Sequence, residues 1–145
     1  MGQLGHTDEA SRNVSCLQSG REFDEELIEQ LNVLPQFVAA FGFSDAKAPG
    51  FEADDFFAAA VAAEERAGGT AIVASGDRDS FQLASSATTI RYPSRGAELA
   101  RVGPEEVRQR YGVDPKQVPD FIALRGDPSD KLPGAPGVGP KRAAQ

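Results

Sequence analysis

The residues Ala71-Ile72-Val73-Ala74-Ser75 form a short apolar run closed by glycine on both sides, Gly68-Gly69 before it and Gly76 after it. Bounded in this way and lacking polar alternation, the run predicts a strand buried on both faces of a parallel sheet. Its flanks continue the pattern. The Ala-rich segment from about Phe51 to Ala67, with Phe56, Phe57 and Val61, predicts a helix that ends at Gly68-Gly69. Thr88 to Tyr92 predicts the next strand, reached through a short helix around Asp79 to Ala84. Strands alternating with helices place the chain in the α/β class.

Upstream, Phe23, Leu27, Leu31, Leu34, Phe37, Val38 and Phe41 recur at spacings of three and four, so residues 21–43 read as an amphipathic helix. Pro35 is expected to kink or split it, and Gly42 to cap it. The acids Glu22, Asp24, Glu25, Glu26 and Glu29 in its first half suit the helix dipole and read as a solvated face. Ala46-Lys47-Ala48 is at best a very short strand. Residues 1–20 show no apolar period and read as a poorly ordered lead-in, with His6 as a solvated tail residue and Cys16 as an inert thiol. Downstream, Gly103-Pro104-Glu105-Glu106 opens a helix closing at Tyr111-Gly112, and Asp114-Pro115 opens another with Val118, Phe121, Ile122 and Leu124 on its apolar side. After Arg125 the order expected is short helix, Gly/Pro hairpin and basic helix start.

Composition narrows the chemistry. A single Cys allows no internal disulfide, and a single His excludes His-rich zinc sites and makes a Ser-His-Asp triad a poor fit. No apolar run approaches the roughly 18 residues of a membrane-spanning helix. The N-terminus lacks the order of a signal peptide, so a soluble, cytoplasmic protein with no membrane partner is expected. The net charge of −7 hides a segregation: residues 1–100 carry seven Lys/Arg against sixteen Asp/Glu, and residues 101–145 carry eight against six.

The acids themselves fall into three groups. Glu52, Asp54 and Asp55 lie in the first turn of the second predicted helix, where Glu52 and Asp55 share a face and Asp54 lies beside it. Asp77 and Asp79 follow the carboxyl end of the apolar strand, the place where open α/β sheets hold ligands. Asp127 and Asp130, three apart, form the third group. Each has an ordinary explanation in helix-dipole preference, turn formation or helix capping. Three groups on loops and helix ends of one small domain also suit a site for hard divalent cations, because the donors are all oxygen; that points to Mg²⁺ or Mn²⁺ rather than Zn²⁺. Two such ions activate a water and stabilise the leaving oxygen of a phosphodiester, so phosphodiester hydrolysis is the chemistry this set predicts.

The segment Gly134 to Arg142 resists two familiar phosphate motifs. Pro140 stands where a P-loop needs Lys, and no Ser or Thr follows Lys141. Gly137-Val138-Gly139 is followed by Arg142 where a dinucleotide fingerprint needs Gly or Ala, with no strand ahead of it. What remains is a glycine-lined turn that presents backbone N–H groups at a helix start beside Lys141 and Arg142, a way to hold phosphate without reading base sequence.

Taken together, Gly50-Phe51-Glu52-Ala53-Asp54-Asp55, Ser75-Gly76-Asp77-Arg78-Asp79-Ser80-Phe81-Gln82-Leu83 and the run from Leu124 to Lys141 resemble the 5′-3′ exonuclease and flap endonuclease family, which includes the nuclease domain of bacterial DNA polymerase I. The resemblance covers roughly residues 21–145. It implies a PIN-like (Rossmann-like) parallel sheet with flanking helices over residues 21–100, an incomplete core, and a helix-hairpin-helix region over 101–145 with its second helix cut short. It also implies divalent-metal-dependent cleavage of DNA at 5′ ends and flaps. Glu52, Asp54, Asp55, Asp77 and Asp79 would be the catalytic carboxylates, joined by Asp127 and Asp130 as metal ligands. Gly137, Val138, Gly139, Lys141 and Arg142 would contact duplex DNA, where the family's hairpin also often holds a monovalent cation.

Two family parts are missing from the pattern: a first strand bearing an essential Asp, for which Asp8 does not substitute, and an arch rich in Lys and Arg. The chain therefore reads as the middle of a larger nuclease, with an exposed edge at the Ala71 to Ser75 strand and weak or no cleavage alone. A non-catalytic, sequence-independent DNA-binding remnant is the alternative. A PIN-type ribonuclease fits less well, since those domains generally lack the hairpin.

Overall fold

The structure, a computed structural model, describes residues 24–94 and 98–145. The expectations for residues 1–20, Cys16, His6 and Phe23 lie outside that range. The chain divides into two compact units between Ala48 and Pro49.

In the first unit, α1 spans Glu25–Ala40. Asp24 caps it, its carboxylate accepting the Glu26 N–H at 3.1 Å. Pro35 sits inside the helix without splitting it, since a proline removes only its own N–H from the ladder and one missing bond leaves the neighbouring turns paired. Gly42 follows the last turn at φ 81° and donates to the Ala39 carbonyl. Ala46 to Ala48 form no strand.

The second unit begins with α2, Ala53–Arg66, and continues through β1, Ala71–Ala74, a 3₁₀ helix, Asp79–Leu83, and β2, Thr88–Pro93. β3, Leu99–Val102, then leads to α3, Pro104–Tyr111. A 3₁₀ turn at Pro115–Gln117 opens α4, Val118–Arg125, and α5 is the single turn Pro140–Ala143. Among the described residues the sheet has the order β1-β2-β3. β1 runs parallel to β2 with Val73 opposite Ile90, and β2 runs antiparallel to β3 with Ile90 opposite Val102. The sheet is therefore mixed rather than purely parallel, with β3 the strand its sequence did not announce.

β1 also departs from expectation. Only Val73 is buried, while Ile72 stands 71% exposed, so the strand is covered on one face rather than both. Among the described residues it lies at the edge of the sheet, where an exposed edge was expected. The covered face packs on α2. The core runs continuously from Val61 and Val73 through Phe81, Ile90 and Val102 to Val107, Val118, Phe121, Ile122 and Ala143. Leu124, placed on the apolar face by its spacing, is instead exposed. The short helix expected after Arg125 is a loop, closed by an antiparallel bridge between Asp127 and Leu132.

One polar contact ties the helix layer to the sheet. Buried Thr88 donates its hydroxyl to Glu65 Oε1 at 2.7 Å, and the Ser85 hydroxyl donates to the same oxygen. Ser85 in turn accepts the N–H groups of Ala87 and Thr88, so one carboxylate secures both α2 and the entry to β2. These hydrogen bonds hold the Glu65 carboxyl below its ordinary range. A carboxylate with a lowered folded-state value contributes stability that is fully present above the ordinary glutamate range and fades as pH falls through the folded value. Glu65→Gln is accordingly expected to unfold at lower urea than the parent at pH 7, with the gap narrowing below pH 4; a constant gap from pH 7 to pH 3 would assign the effect to packing instead.

Candidate functional site

The turn after β1 is folded by its own side chains. Ser75 Oγ accepts the Asp77 N–H at 3.0 Å, Asp77 Oδ1 accepts the Asp79 N–H at 3.0 Å, and Ser80 Oγ donates to the Asp77 carbonyl at 2.6 Å. Short polar side chains bonding to nearby backbone are the reason this Ser-Gly-Asp-Arg-Asp-Ser segment leaves the strand so abruptly. Behind it Phe81 is fully buried, its ring centroid 5.2 Å from that of Tyr92 and 6.0 Å from that of Tyr111. The turn is thereby pinned to β2 and α3.

The third acidic group reaches the same place by backbone contact. Gly126 and Gly134 hold the neck of the loop that carries Asp127 and Asp130. At Gly134, φ is 70° and an added Cβ would lie 2.6 Å from the Arg125 carbonyl oxygen; at Gly126, φ is 85° and an added Cβ would lie 2.8 Å from the Leu132 carbonyl oxygen. Only residues without a Cβ let the two backbones meet. The result is a cleft of about 440 Å³ lined by Gly76, Asp77, Arg78, Tyr92, Asp127, Ser129 and Asp130. Asp77 thus meets Asp127 and Asp130 across some fifty residues of sequence.

The other predicted acids surround this cleft without lining it. Asp79 borders a smaller cavity of about 130 Å³ beside Ile122 and Leu132. Burial, and then Asp77, Asp130, Asp54 and Asp127, push its carboxyl above the usual range. Asp54, half-buried in the first turn of α2, is pushed up by burial and then by Asp77, Glu52 and Asp55. Asp54 is therefore the half-buried member of its group, and it feels the charge of Asp77. Asp55 has a second task, accepting the Glu52 N–H at 2.9 Å to cap α2, and Glu52 is exposed. Asp127 is buried and held low by the Ser129 hydroxyl and N–H, with further help from Arg125 and Arg78. Its carboxylate lies 3.4 Å from the Arg125 guanidinium.

Among the described residues no three His, Cys, Asp or Glu side chains converge closely enough to hold a metal ion. The donor chemistry nevertheless suits one. The set is all oxygen, and Asp79 Oδ1 is sealed from solvent without a hydrogen-bond partner. A buried carboxylate oxygen left in that state is costly unless a cation or an ordered water meets it.

At the hairpin, Gly137 and Gly139 are exposed and Val138 is half-buried against the core. Lys141 and Arg142 are exposed on α5, and the Arg142 guanidinium donates to the Gly137 carbonyl at 3.3 Å. Sequence reasoning passed over Arg78, Tyr92 and Ser129. Ser129 was legible in principle, two residues after Asp127 where a side-chain turn forms; Tyr92 came close to Arg78 only through the fold.

Comparison with known proteins matches residues 11–112 to the N-terminal resolvase-like domain of the 5′-3′ exonucleases and residues 113–145 to their C-terminal SAM fold. The chain is 47% identical over 122 residues to the DNA polymerase I of Mycobacterium bovis, covering 83% of this chain and 14% of that protein. It is 41% identical over 131 residues to a 5′-3′ exonuclease of Mycobacterium tuberculosis, covering 85% of this chain and 41% of the relative. The chain thus spans less than half the length of either relative. The fold resembles that of the bacteriophage T5 5′-exonuclease with divalent metal ions (zinc) bound, at a TM-score of 0.68 and 21% identity over 92% of this chain and 49% of that one. It also resembles the T5 flap endonuclease in a pseudo-enzyme–product complex with DNA and metal ions, at a TM-score of 0.65 and 20% identity over 92% of this chain and 49% of that one.

The raised carboxyl of Asp79 has a measurable consequence. Its folded form favours the proton, so any stability it adds is present below the ordinary aspartate range and lost as pH rises through the folded value, leaving a burden at neutral pH. In buffer free of divalent ions, Asp79→Asn is expected to melt about 2–4 °C above the parent at pH 7 and to lose that advantage near pH 3. A lower melting temperature at pH 7 would show that the carboxylate has a partner in solution.

Proposed function

Because this chain belongs to the 5′-3′ exonuclease family, we propose that it carries the acidic site of a divalent-metal-dependent nuclease that hydrolyses DNA phosphodiesters at 5′ ends and 5′ flaps. The observation that supports this most is the cleft itself, where Asp77, Asp127 and Asp130 from two distant loops meet beside Arg78. The relatives' names and the metal- and DNA-bound T5 structures agree with that chemistry.

In this reading Asp77, Asp79, Asp127 and Asp130, with Asp54 and its neighbours Glu52 and Asp55, are the carboxylates that hold Mg²⁺ or Mn²⁺. Such ions supply an activated water and neutralise the oxygen that leaves. The chain's own contribution is placement. Phe81 fixes the Asp77 to Asp79 turn, the Gly126 and Gly134 neck fixes Asp127 and Asp130, and the Ser129 bonds keep Asp127 ionised. Residues 21–100 act as the nuclease core and residues 101–145 as the helical region that holds duplex DNA. In that region the Gly137-Val138-Gly139 turn, Lys141 and Arg142 contact phosphate without reading bases, and the turn offers a place for a monovalent cation.

A second reading has its own support. No three described carboxylates converge to metal-binding distance, which favours a chain that binds DNA and cleaves it weakly or not at all by itself. A labelled 5′-flap duplex with Mg²⁺ separates the two. Cleavage abolished by EDTA and reduced at least about a hundredfold by Asp77→Ala supports the nuclease reading. DNA binding that survives Asp77→Ala and needs no divalent ion, but weakens with Lys141→Ala, would support the binding remnant.

A further inference from the structure

Beside the acidic cleft lies a second one of opposite sign. It encloses about 670 Å³ and is lined by Arg78, Arg110, Tyr92, Tyr111, Pro93, Ser94 and Ala100, with no carboxylate in its lining among the described residues. Arg78 and Tyr92 belong to both clefts, so a single wall separates them.

The two guanidiniums are held in an unusual way. Nearby Arg108 is ion-paired to Asp114 and Glu105, and Arg125 to Asp127. Among the described residues neither Arg78 nor Arg110 has such a partner. Arg110 instead lies over aromatic rings, its Cζ 5.3 Å from the Phe81 centroid and 5.7 Å from that of Tyr92. Arg78 donates from Nε to the Tyr92 hydroxyl at 3.4 Å. Lying over ring faces leaves the N–H donors of Arg110 free, and Arg78 spends only its Nε on Tyr92, so both side chains are positioned while much of their hydrogen-bonding capacity remains unspent. The Tyr111 hydroxyl at the same wall is buried and has no partner. Two oriented forks in a cleft whose described lining has no carboxylate, with only Arg78 reaching the aspartates next door, make a site for a tetrahedral oxyanion.

We propose that this cleft binds a phosphate group of the nucleic-acid strand whose neighbouring linkage lies at the acidic cleft, with Arg78 and Arg110 as its paired donors. The inference deepens the nuclease reading and rests on it for the choice of strand. A terminal monoester and an internal diester present the same oxygens, and the two are separated by experiment.

The test is equilibrium binding of the 145-residue chain to fluorescent duplexes of one sequence, bearing either a 5′-phosphate or a 5′-hydroxyl, in EDTA so that cleavage plays no part. Arg78→Gln and Arg110→Gln are each expected to weaken binding about tenfold and to lower the salt slope by about one, with Arg110→Lys falling between. A loss confined to the 5′-phosphorylated duplex assigns the terminal monoester, and an equal loss on both assigns an internal diester. Parent affinity and parent salt slope in the Arg78→Gln/Arg110→Gln double variant, with an unchanged circular dichroism spectrum, would overturn the proposal. Should the double variant fail to fold, the Arg78→Gln change at an exposed loop residue decides alone. Arginine-dependent binding without any cleavage in Mg²⁺ would sink the nuclease reading and leave this site standing, whereas cleavage with arginine-independent binding would do the reverse.

Discussion

The burial of Phe81 is the constraint on which the rest of the second unit depends. Its ring is fully buried, two residues after Asp79, with Tyr92 of β2 on one side and Tyr111 of α3 on another. Removing an aromatic side chain of that size from water is worth about 2–3 kcal/mol. Repulsion between solvated carboxylates is on the order of 1 kcal/mol per pair and is further screened by salt. Burial of Phe81 therefore offsets the repulsion of about two or three such pairs among Asp54, Asp77, Asp79, Asp127 and Asp130. The apolar anchor lies directly behind the charged turn, so the energy gained by the one is spent where the other needs it.

A second constraint acts on backbone rather than side chain. The Asp127 to Leu132 bridge and the meeting of Gly126 with Gly134 close a loop whose acids must stand opposite those after β1. The Ala135 N–H bonds to the Leu124 carbonyl at 2.8 Å, which carries the closure into the end of α4. α4 in turn packs on the 3₁₀ helix that contains Phe81. The two acid-bearing loops are therefore attached to one another through a short path of packed elements rather than each being placed separately. This path explains why the two groups of acids sit where they do.

How much of this was readable beforehand depends on the range of the interaction involved. α1, α2, α3, β2 and the Asp77 to Asp79 turn were legible because periodicity, caps and turn residues act over a few positions. β3 was not, since only Val102 of its four residues is buried and a strand with a single buried residue leaves almost no pattern. β1 was recognised as a strand, but its exposure was misread, because an apolar run does not reveal whether both faces will be covered. The three acidic groups were visible as groups, whereas the distinction inside the first of them was not: Asp55 caps its own helix while Asp54 is half-buried and raised by burial and by Asp77. The partners Tyr92 and Arg110 were invisible for the same reason as β3. They meet Arg78 or Phe81 across eleven to twenty-nine positions, and nothing local marks the meeting.

The net charge of −7 illustrates a related point about averages. An acidic total argues against a polyanion as partner only if the charge is spread evenly, and here it is sorted twice. Along the chain, acids dominate the first hundred residues and bases the remainder. In space the sorting is finer, since Arg78 and Tyr92 form the wall between a cleft lined by three aspartates and one lined by two arginines. Within the acidic cleft Asp127 is held ionised by Ser129, while neighbouring Asp79 is driven toward its protonated form by burial and by the other acids. Environment thus gives chemically identical side chains different charge tendencies within one small region of the fold. The two clefts therefore present opposite local fields within a chain whose total is acidic. The quantity that bears on partner choice is accordingly the sign of the potential at each cleft, which the fold determines and the composition conceals.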